Sequence, residues 1–394
     1  MTDKMDVIII GAGASGLMCA IEAGKRHRRV LVMDHAKAPG QKILLTGGGR
    51  CNFTNRSVAA DHYVSHNPHF CKSALSRYTQ WDFLSLVQKH HIAFCERAHG
   101  QLFCEGSSRD ILNMLLAECE QAGVSFQLDA KIENIEQAGE HLFLVRSSRA
   151  SHACESLVVA TGGLSIPSKG ASPLGHEIAG QFHIKVWPPR AGLVPLTLQP
   201  GDKEKFSVLS GIAVEAVVST RRESFCENLL FTHRGLSGPV ILQMSLYWQP
   251  GEELTIDLLP GIDLAEALKE HKWQHPQRTV KSVLAEYLPK RLVVVMVRGD
   301  LAESPLKSLP DRALREISAQ LRQWTIKPNN TEGYRTAEVT VGGVDCNAIS
   351  SKTMEARDVA GLFFVGEVLD VSGSLGGYNL QWAWSSGWCA GQYV

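Results

Sequence analysis

The chain opens with short apolar runs separated by polar breaks, a pattern typical of a β-α-β unit. β-branched residues fill "DVIII" (6–10), glycines fill "GAGASG" (11–16), and "LMCAIEAGKRH" (17–27) places its apolar residues at helical spacing. A second apolar run, "RVLVMD" (29–34), follows. A strand, a glycine turn, a helix and a strand in this order predict two parallel strands joined by a crossover helix.

Mixed α/β patterning continues to about residue 190. Helical spacing of apolar residues predicts helices within 70–91 and 107–122. A β segment begins in 124–137, "HLFLVRSS" (141–148) alternates as an antiparallel strand does, and "SLVVATGG" (156–163) is a buried strand that ends in glycines.

The pattern changes after "KVWPPRAG" and returns near the C-terminus. Short strands with turn residues fill 192–258, and helical patterns fill 262–326. Strand patterns reappear at 335–344 and 361–370, before a closing helix rich in small residues. We therefore predict an α/β domain (1–190 and 342–394) interrupted by a β-barrel insert (191–260 and 328–341) that carries a helical subdomain (261–327).

Composition adds bounds to this picture. The 40 basic and 40 acidic residues cancel, which gives no net field to attract nucleic acid or anionic lipid. The ten cysteines form no C-x-x-C pair, so they indicate reduced thiols and no zinc site. No apolar run approaches the ~20 residues of a membrane span, and "MTDKMDVIII" lacks the basic start of a signal peptide. These features predict a soluble, cytoplasmic protein.

The first glycine turn is a candidate dinucleotide site. Gly11, Gly13 and Gly16 form G-x-G-x-x-G between a strand and a helix, and Ala14 and Ser15 begin that helix. Such glycines allow a tight turn, a close approach of the backbone to a pyrophosphate, and helix–strand packing. Asp34 ends the next strand, where a carboxylate accepts ribose hydroxyls. NAD and FAD both use this turn, and a turn that serves packing alone is the remaining alternative.

A second glycine-rich stretch, "LTGGGRCNFTN" (45–55), suits neither a helix nor a strand. Consecutive glycines free the backbone to present amides, and the arginine adds a fixed cation. A flavin needs such a second wall, whereas a simple NAD domain does not. The residues that we assign to cofactor contact in and beside this stretch are Lys42, Thr46, Gly47, Gly48, Arg50, Cys51 and Asn52.

Several long motifs resemble one bacterial family. They are "GAGASGL", "PGQKILLTGGGRCNFTN", "ATGGLS", "LLFTHRGLSGP", "EGYRTAEVTVGGVD" and "GEVLDVSGSLGGYNLQWAWSSG". In this order, from residue 6 to the C-terminus, they are similar to the YhiN/BaiN-type flavoproteins, NAD(P)/FAD-dependent oxidoreductases that include an aminoacetone oxidase family. The resemblance implies FAD in a glutathione-reductase-like Rossmann domain, with a β-barrel insert and a small helical subdomain. Gln41 and Ser374 depart from the pattern of that family.

The resemblance also implies further cofactor contacts. The end of the strand at residues 160–162 would pass close to the flavin, and residues 131–132 would lie against the adenine. The glycine and the acidic residue at 366–367 would lie near the ribityl chain, and the start of the last helix, at 376–379, would face the flavin ring. A helix N-terminus there would stabilise negative charge on the reduced ring. A structural turn from strand to loop is the alternative for residues 160–162, and a corner from loop to helix is the alternative for residues 376–377. The residues concerned are Lys131, Ile132, Ala160, Thr161, Gly162, Gly366, Glu367, Gly376, Gly377, Tyr378 and Asn379.

Four residues are candidates for chemistry. Cys51 would need a lowered thiol pKa to be reactive, and a packing or ring-contact role is the alternative. Arg335 could hold a carboxylate or carbonyl and Tyr334 could donate a proton, unless both are solvated strand residues. His233 lies in "LLFTHRGLSGP" and is our candidate acid or base, although a structural loop histidine is the alternative.

These features predict an FAD-dependent oxidoreductase that exchanges a hydride or two electrons with a small organic substrate. A single G-x-G-x-x-G means that any NAD(P)H would dock only transiently, or that the substrate itself is the electron donor. A substrate that is oxidised with O₂ as the acceptor is equally compatible. We expect no nucleic-acid partner, no membrane and no metal, and the oligomeric state stays open. Two alternatives are a flavin-binding redox sensor without turnover and a tRNA-modifying flavoprotein, the latter disfavoured by the balanced charge.

Overall fold

The computed structural model describes residues 3–394 in two compact units. The first unit extends to Ala191 and resumes over Glu338–Val394, and the second is Gly192–Ala337. Each unit has its own hydrophobic core. The predicted first domain and the segment without signal-peptide character both begin at residue 1. Their first two residues lie outside the described residues. The predicted division into three domains stays a prediction.

The β-strands, in chain order, have the following bounds. They are β1 Asp3–Ile10, β2 Val30–Met33, β3 Asn52–Asn55, β4 Tyr63–Val64, β5 Phe94–Glu96, β6 Gln101–Cys104, β7 Ser125–Gln127, β8 Ile132–Gly139, β9 Leu142–Ser147, β10 Ser151–Val159, β11 Val186–Gly192, β12 Leu196–Thr197, β13 Ala213–Ser219, β14 Ser224–Phe231, β15 Gly235–Ser237, β16 Leu254–Asp257, β17 Trp324–Ile326, β18 Asn330–Thr331, β19 Val339–Val344, β20 Leu362–Phe364 and β21 Ser372–Gly373.

The α-helices are distributed over both units. They are α1 Ala14–Lys25, α2 Cys71–Arg77, α3 Gln80–Lys89, α4 Ser108–Gln121, α5 Leu174–Gln181, α6 Pro200–Phe206, α7 Pro239–Met244, α8 Leu264–Gln274, α9 Val280–Leu284, α10 Lys290–Met296, α11 Gly299–Ala302, α12 Asp311–Arg322 and α13 Tyr378–Gly391. Among residues 3–394, no helix combines the length and the apolar character that crossing a membrane requires.

A parallel sheet forms the centre of the first unit. β1 pairs in parallel with β2 and β10, β2 with β7, and the end of β10 with β20. The antiparallel strands β9 and β8 extend the sheet beyond β10. The β-branched run of β1 is buried from Val7 to Ile10, as expected of a strand covered on both faces. The carboxyl ends of these parallel strands therefore meet at one edge, where the glycine turns lie.

The last helix of the chain packs against the first. A Cβ atom on Gly387 would lie 2.3 Å from the Ser15 carbonyl oxygen, and one on Gly391 would lie 2.6 Å from the Glu22 Cβ. Both glycines of α13 thus allow this C-terminal helix to pack closely against α1, the helix that follows the N-terminal glycine turn.

The second unit combines a sheet with helices. Its seven-stranded antiparallel sheet has the order β17-β16-β13-β14-β15-β12-β18. Helix α12 buries one face, with Leu314, Ile317 and Leu321, and its other face is charged. The hydrophobic core of this unit joins residues of the sheet to residues of α8–α12.

Candidate functional site

Two glycines of the first glycine turn, Gly11 and Gly16, pack closely against backbone atoms, and the third, Gly13, faces open space. A Cβ atom on Gly11 would lie 2.3 Å from the Ala160 carbonyl oxygen, and one on Gly16 would lie 2.0 Å from the Gly11 oxygen. A Cβ on Gly13, by contrast, would meet nothing within 4 Å. Gly13 is also the N-cap of α1, where backbone amides and the helix dipole favour an anion. The open space therefore fits the diphosphate of a dinucleotide.

Asp34 lies beside this turn. Its carboxylate accepts hydrogen bonds from the amides of Ala12 (2.7 Å) and Ala36 (2.8 Å). Each carboxylate oxygen has a second lone pair, so Asp34 can still accept from a hydroxyl. The Ala130 amide donates to the Asp34 carbonyl at 2.9 Å, which brings the neighbouring Lys131 and Ile132 to the same edge. Their adenine contact stays a prediction.

The second glycine stretch forms a tight loop at residues 43–49. Gly47, Gly48 and Gly49 have φ angles of 59°, 65° and 86°, which L side chains rarely adopt. The Cys51 amide donates to the Thr46 carbonyl (2.9 Å) and closes the loop. A Cβ on Gly48 or Gly49 would meet nothing within 4 Å. The loop therefore exposes backbone, as expected of a wall against a ligand.

This loop region contacts the start of the last helix. The Asn55 side-chain amide donates to the Gly376 carbonyl at 2.9 Å, and a Cβ on Gly377 would lie 2.5 Å from the Thr54 carbonyl oxygen. Asn379 holds the same corner, since its side chain exchanges hydrogen bonds of 2.8 Å with both backbone groups of Gly373. Segments about 320 residues apart in sequence thus form one corner.

Tyr378 supports this corner from within. Its ring is buried and stacks on His62 with a centroid distance of 4.4 Å. Its carbonyl accepts a hydrogen bond from the Tyr63 hydroxyl at 3.0 Å. Ser374, where the family pattern has another residue, donates to the His62 carbonyl at 3.0 Å. The His62–Tyr63 segment therefore fixes the approach to α13.

An ion pair lies beside the end of β10. Lys42 Nζ is 3.2 Å from Glu367 Oε2 and 3.1 Å from the Ser165 hydroxyl, which donates to Glu367 Oε1. The Thr340 amide donates to the same carboxylate at 2.9 Å. Burial opposes the charge of Glu367, yet Lys42, Ser165 and Thr340 hold the pKa of this carboxyl below its ordinary value. The site thus contains a fixed ammonium and a fixed carboxylate.

The predicted strand-end contacts join this network. A Cβ on Gly162 would lie 3.7 Å from Glu367 Oε2 and 3.9 Å from Lys42 Nζ. Ala160 donates its amide to the Ile10 carbonyl (2.8 Å), which ties this strand end to the first glycine turn. Thr161 follows at the same strand end and is half-buried.

Gly366 connects the network to both helices. Its amide donates to the Ser386 hydroxyl oxygen (3.0 Å), and its carbonyl accepts from the Trp382 indole (3.0 Å). A Cβ on Gly366 would lie 2.4 Å from Ser15 Oγ. Gly366 therefore contacts both α1 and α13, and a side chain there would collide with Ser15 of α1.

The structure thus brings most of the predicted cofactor residues to one edge of the first unit. It also adds residues that the sequence did not single out, namely Gln101, Ser165, Thr340 and Gln381. Ser165, Thr340 and Gln381 lie inside the quoted motifs, so those motifs were the available signal. The cofactor role of each residue stays a prediction.

The catalytic candidates are divided between the units. Cys51 belongs to the first, is fully buried, and burial raises the pKa of its thiol to about 12, which disfavours a reactive thiolate. His233, Tyr334 and Arg335 belong to the second unit. His233 and Arg335 are exposed and Tyr334 is half-buried. Residues 333–337 form a turn, and β19 begins only at Val339, so the strand predicted from 335 is too long.

Known proteins resemble this chain over nearly its whole length. It is 53% identical to a protein of Escherichia coli (strain K12) named ribosomal RNA dihydrouridine synthase, over 392 residues that cover 99% of this chain and 98% of that protein. A protein of Haemophilus influenzae with the same name is 47% identical, with 99% and 98% covered. A 3-dehydro-bile acid delta(4,6)-reductase of Clostridium scindens is 27% identical, with 98% and 97% covered.

Solved structures resemble the chain more distantly. A 3-ketosteroid-delta4-(5alpha)-dehydrogenase from Rhodococcus jostii RHA1 matches with a TM-score of 0.49 and 13% identity, over 99% of this chain and 97% of that one.

The two relatives named for ribosomal RNA correct one expectation. We expected a small-molecule substrate and no nucleic-acid partner, on the ground that basic and acidic residues balance. That expectation is wrong, because both relatives match 99% of this chain and carry an RNA substrate in their name. Net charge sums over the whole chain and is insensitive to how charges are arranged on the surface.

The expected fold class is confirmed. The parallel sheet with its glycine turn is the α/β arrangement of a Rossmann-like, FAD-binding domain. The model of a family described as HI0933-like protein Rossmann domain matches residues 5–393. The resemblance to YhiN/BaiN-type flavoproteins is confirmed by the same match, and the chain belongs to the HI0933-like family.

Proposed function

We propose that this protein is an FAD-dependent enzyme that reduces uridine in ribosomal RNA to dihydrouridine. The observation that carries this proposal is the 53% identity, over 99% of the chain, to a protein named for that reaction. The more distant relative is named a delta(4,6)-reductase, so it too acts on carbon–carbon double bonds. Reduction of a conjugated double bond is the chemistry that these names share.

The reaction adds two hydrogen atoms across the carbon–carbon double bond of the uracil ring. One ring carbon receives a hydride and its neighbour receives a proton, so the base gains two electrons and two protons in total. Bound FAD supplies the hydride in its reduced form. We propose NAD(P)H as the reductant that restores it, docking transiently because the sequence contains one G-x-G-x-x-G.

The residues of the first unit hold the cofactor in this proposal. The amides at Gly13, Ala14 and Ser15 bind the diphosphate, and Asp34 accepts from the ribose. The three glycines of residues 47–49 form one wall. The Gly376–Gly377 corner, at the start of α13, directs backbone amides and the positive end of a helix dipole towards the ring. Such donors stabilise negative charge on the reduced ring.

The Lys42–Glu367 pair orients the cofactor. Ser165 and Thr340 restrain the carboxylate, and Lys42 remains partly exposed, with 30% of its side chain accessible. A restrained ammonium beside Gly162 can donate a hydrogen bond to a ring or ribityl oxygen without reorganising, which is how polar groups contribute most to catalysis.

Arg50 follows the glycine loop of residues 43–49, and its side chain is exposed. It is free to contact an RNA phosphate.

One experiment tests the proposed activity. Purified protein, with its flavin content measured from the visible spectrum, is incubated with NADPH or NADH and unmodified transcripts of small- and large-subunit ribosomal RNA. We expect one transcript to acquire dihydrouridine, detected by mass spectrometry of nuclease digests. Heat-denatured protein and a reaction without reductant are the controls.

The competing hypothesis is a flavin-binding redox sensor without turnover. A sensor would be reduced once per flavin and would leave both transcripts unmodified. If the flavin is reduced and then reoxidised repeatedly by dissolved O₂ while no dihydrouridine forms in either transcript, the RNA assignment is wrong.

A further inference from the structure

Trp273 is unusually exposed. It lies in the last turn of α8, and 85% of its surface is accessible to solvent. Tryptophan is highly buried on average in folded proteins, because its large ring system gains most from leaving water. No other large apolar side chain of α8 is exposed among the described residues. An indole that is left in water in this way suggests a ligand that covers it.

The helical part of the second unit is locally basic. Residues 261–327 contain twelve Lys and Arg against eight Asp and Glu, although the whole chain is balanced at 40 and 40. Ion pairs neutralise several of these cations, for example Lys272 with Asp311 at 2.8 Å. Arg322 pairs with Asp257, outside this segment, at 3.2 Å, and the rest of the excess resides on cations without such a partner.

One unneutralised cation lies close to the end of α8. The Lys307 amide donates to the Pro276 carbonyl at 3.0 Å, and Lys272 Nζ reaches the Leu309 carbonyl at 2.8 Å. Residues 307–309 therefore run alongside residues 272–276. Lys307 is exposed and makes no ion pair with any residue of 3–394. His275, which precedes Pro276 in the sequence, is also exposed.

We propose that Trp273, His275 and Lys307 form an RNA-binding surface, which rests on the proposed function. The indole stacks on an unpaired base of the RNA, and the Lys307 ammonium contacts a neighbouring phosphate. Unpaired bases of RNA are commonly bound by stacking on aromatic side chains, and the phosphate chain by cations beside them.

The surroundings of Trp273 favour RNA over a second protein chain. Lys269 and Glu270 lie one turn before it on the same side of α8, where Lys269 pairs with Glu266 and Glu270 accepts from Gln274. The indole is therefore an isolated apolar group on a polar surface. A stable protein interface requires a contiguous, well-packed apolar centre, whereas base stacking requires a single aromatic ring.

Direct binding measurements test this surface. The probes are a fluorescein-labelled, single-stranded oligouridylate and the large-subunit ribosomal RNA transcript. We expect Trp273→Ala to weaken oligouridylate binding by roughly tenfold and Trp273→Phe to retain most of the affinity, since stacking needs only an aromatic face. Lys307→Gln should reduce the slope of log affinity against log salt by about 0.7, the value for one phosphate contact on a single strand.

The matched control is Val294→Ala, which shortens another exposed apolar residue of the same unit. It should bind as the wild type does, and thermal unfolding should verify that all four variants are folded. In dihydrouridine formation, Trp273→Ala should raise KM for the transcript and leave kcat unchanged.

The failures of the two proposals are distinguishable. Wild-type affinity in Trp273→Ala, with normal dihydrouridine formation, would overturn the RNA-binding surface and leave the function standing. Trp273-dependent binding of oligouridylate without modification of either transcript would overturn the function and leave the surface standing. A wild-type dimer that Trp273→Ala converts to a monomer, with unchanged RNA affinity, would identify a second copy of this chain as the occupant.

Discussion

At the residue scale, Gly13 and Gly16 have opposite environments within one turn. A side chain on Gly16 would collide with the Gly11 carbonyl, whereas one on Gly13 would enter open space. We therefore expect Gly16→Ala to lower the free energy of unfolding by at least about 1–3 kcal/mol. We expect Gly13→Val to lower the stability of the flavin-free protein by about 1 kcal/mol or less, because valine is a poorer N-cap than glycine, and to abolish flavin retention. Urea unfolding and the visible absorbance per protein measure the two effects.

Gly123 is the control for Gly13, because a Cβ there would also meet nothing within 4 Å and no cofactor is expected near it. Its φ of +71° favours glycine, so Gly123→Asn, which tolerates that region, is the suitable change. Full flavin retention in Gly13→Val would contradict the assignment of this space to the diphosphate.

Cys51 supplies the second prediction. Its thiol is buried with a pKa raised to about 12, so it stays protonated near neutral pH and does not act as a nucleophile. We expect Cys51→Ala to keep kcat for dihydrouridine formation and to lose about 1 kcal/mol of stability from the atom removed. Cys104→Ala, also fully buried with a thiol pKa raised to about 12, is the matched control. A selective fall of ~10²–10⁴-fold in kcat would instead indicate an acid or base.

The glycines of this site could be predicted from the sequence, whereas their partners could not. Gly11, Gly13 and Gly16 are recognisable because a local turn needs all three within six residues. Asn55 and Gly376 are 321 residues apart, and their hydrogen bond depends on how two distant segments pack. Thr340 lay within a recognised motif, yet its amide contact with Glu367 is a tertiary feature that no local pattern encodes.

At the element scale, Glu118 connects three helices. It lies on α4 and is buried, with Lys25 of α1 at 3.3 Å, Lys89 of α3 at 2.6 Å and His90 at 2.8 Å. Burial opposes its charge, yet these partners lower the pKa of Glu118 to about 2. Removing one member of a buried ion pair leaves the others uncompensated.

This arrangement predicts a pH-dependent loss of stability. The folded pKa is below the ordinary 4.5, so the contribution is complete above about pH 4.5 and is lost as the pH falls towards about 2. We expect Glu118→Gln to cost about 1–3 kcal/mol at pH 7 and progressively less below pH 4.5. Denaturant unfolding at several pH values measures this. The exposed Glu120 of the same helix is the control, and a cost that is independent of pH would contradict the ionic origin.

The sequence patterns predicted only some of the boundaries of the helices and strands. The helical pattern over 70–91 is divided into α2 and α3, because Thr79 and Asp82 form a capping box that starts a new helix. That signal was present in the sequence. The strand predicted from 335 begins too early for a different reason, since residues 334–336 form a turn after Gly333, whose φ is 79°. The strand pattern did not show that these polar residues belong to the turn.

At the scale of the whole molecule, the equal numbers of basic and acidic residues conceal a local excess of basic residues. An excess of cations in 261–327 is compensated by acidic residues elsewhere in the chain. Long-range attraction of RNA depends on the local potential of a surface within about 10 Å of it, and not on the net charge. The sequence contained this asymmetry, but only the exposure of Trp273 in the fold indicated which part of the basic segment is available to a ligand.

The existence of two hydrophobic cores yields the last prediction. The residues assigned to FAD all belong to the first unit, and the core of that unit shares no residue with the core of the second. A ligand stabilises only the folded region that binds it, by about 2.7 kcal/mol at a free concentration of 100 Kd. Calorimetry of the flavin-free protein should therefore resolve two unfolding transitions, and added FAD should raise one of them. Gly13→Val should abolish that shift and leave the other transition in place. If both transitions rise together with FAD, the second unit contributes directly to the cofactor site, and the catalytic candidates His233, Tyr334 and Arg335 become the first residues to substitute.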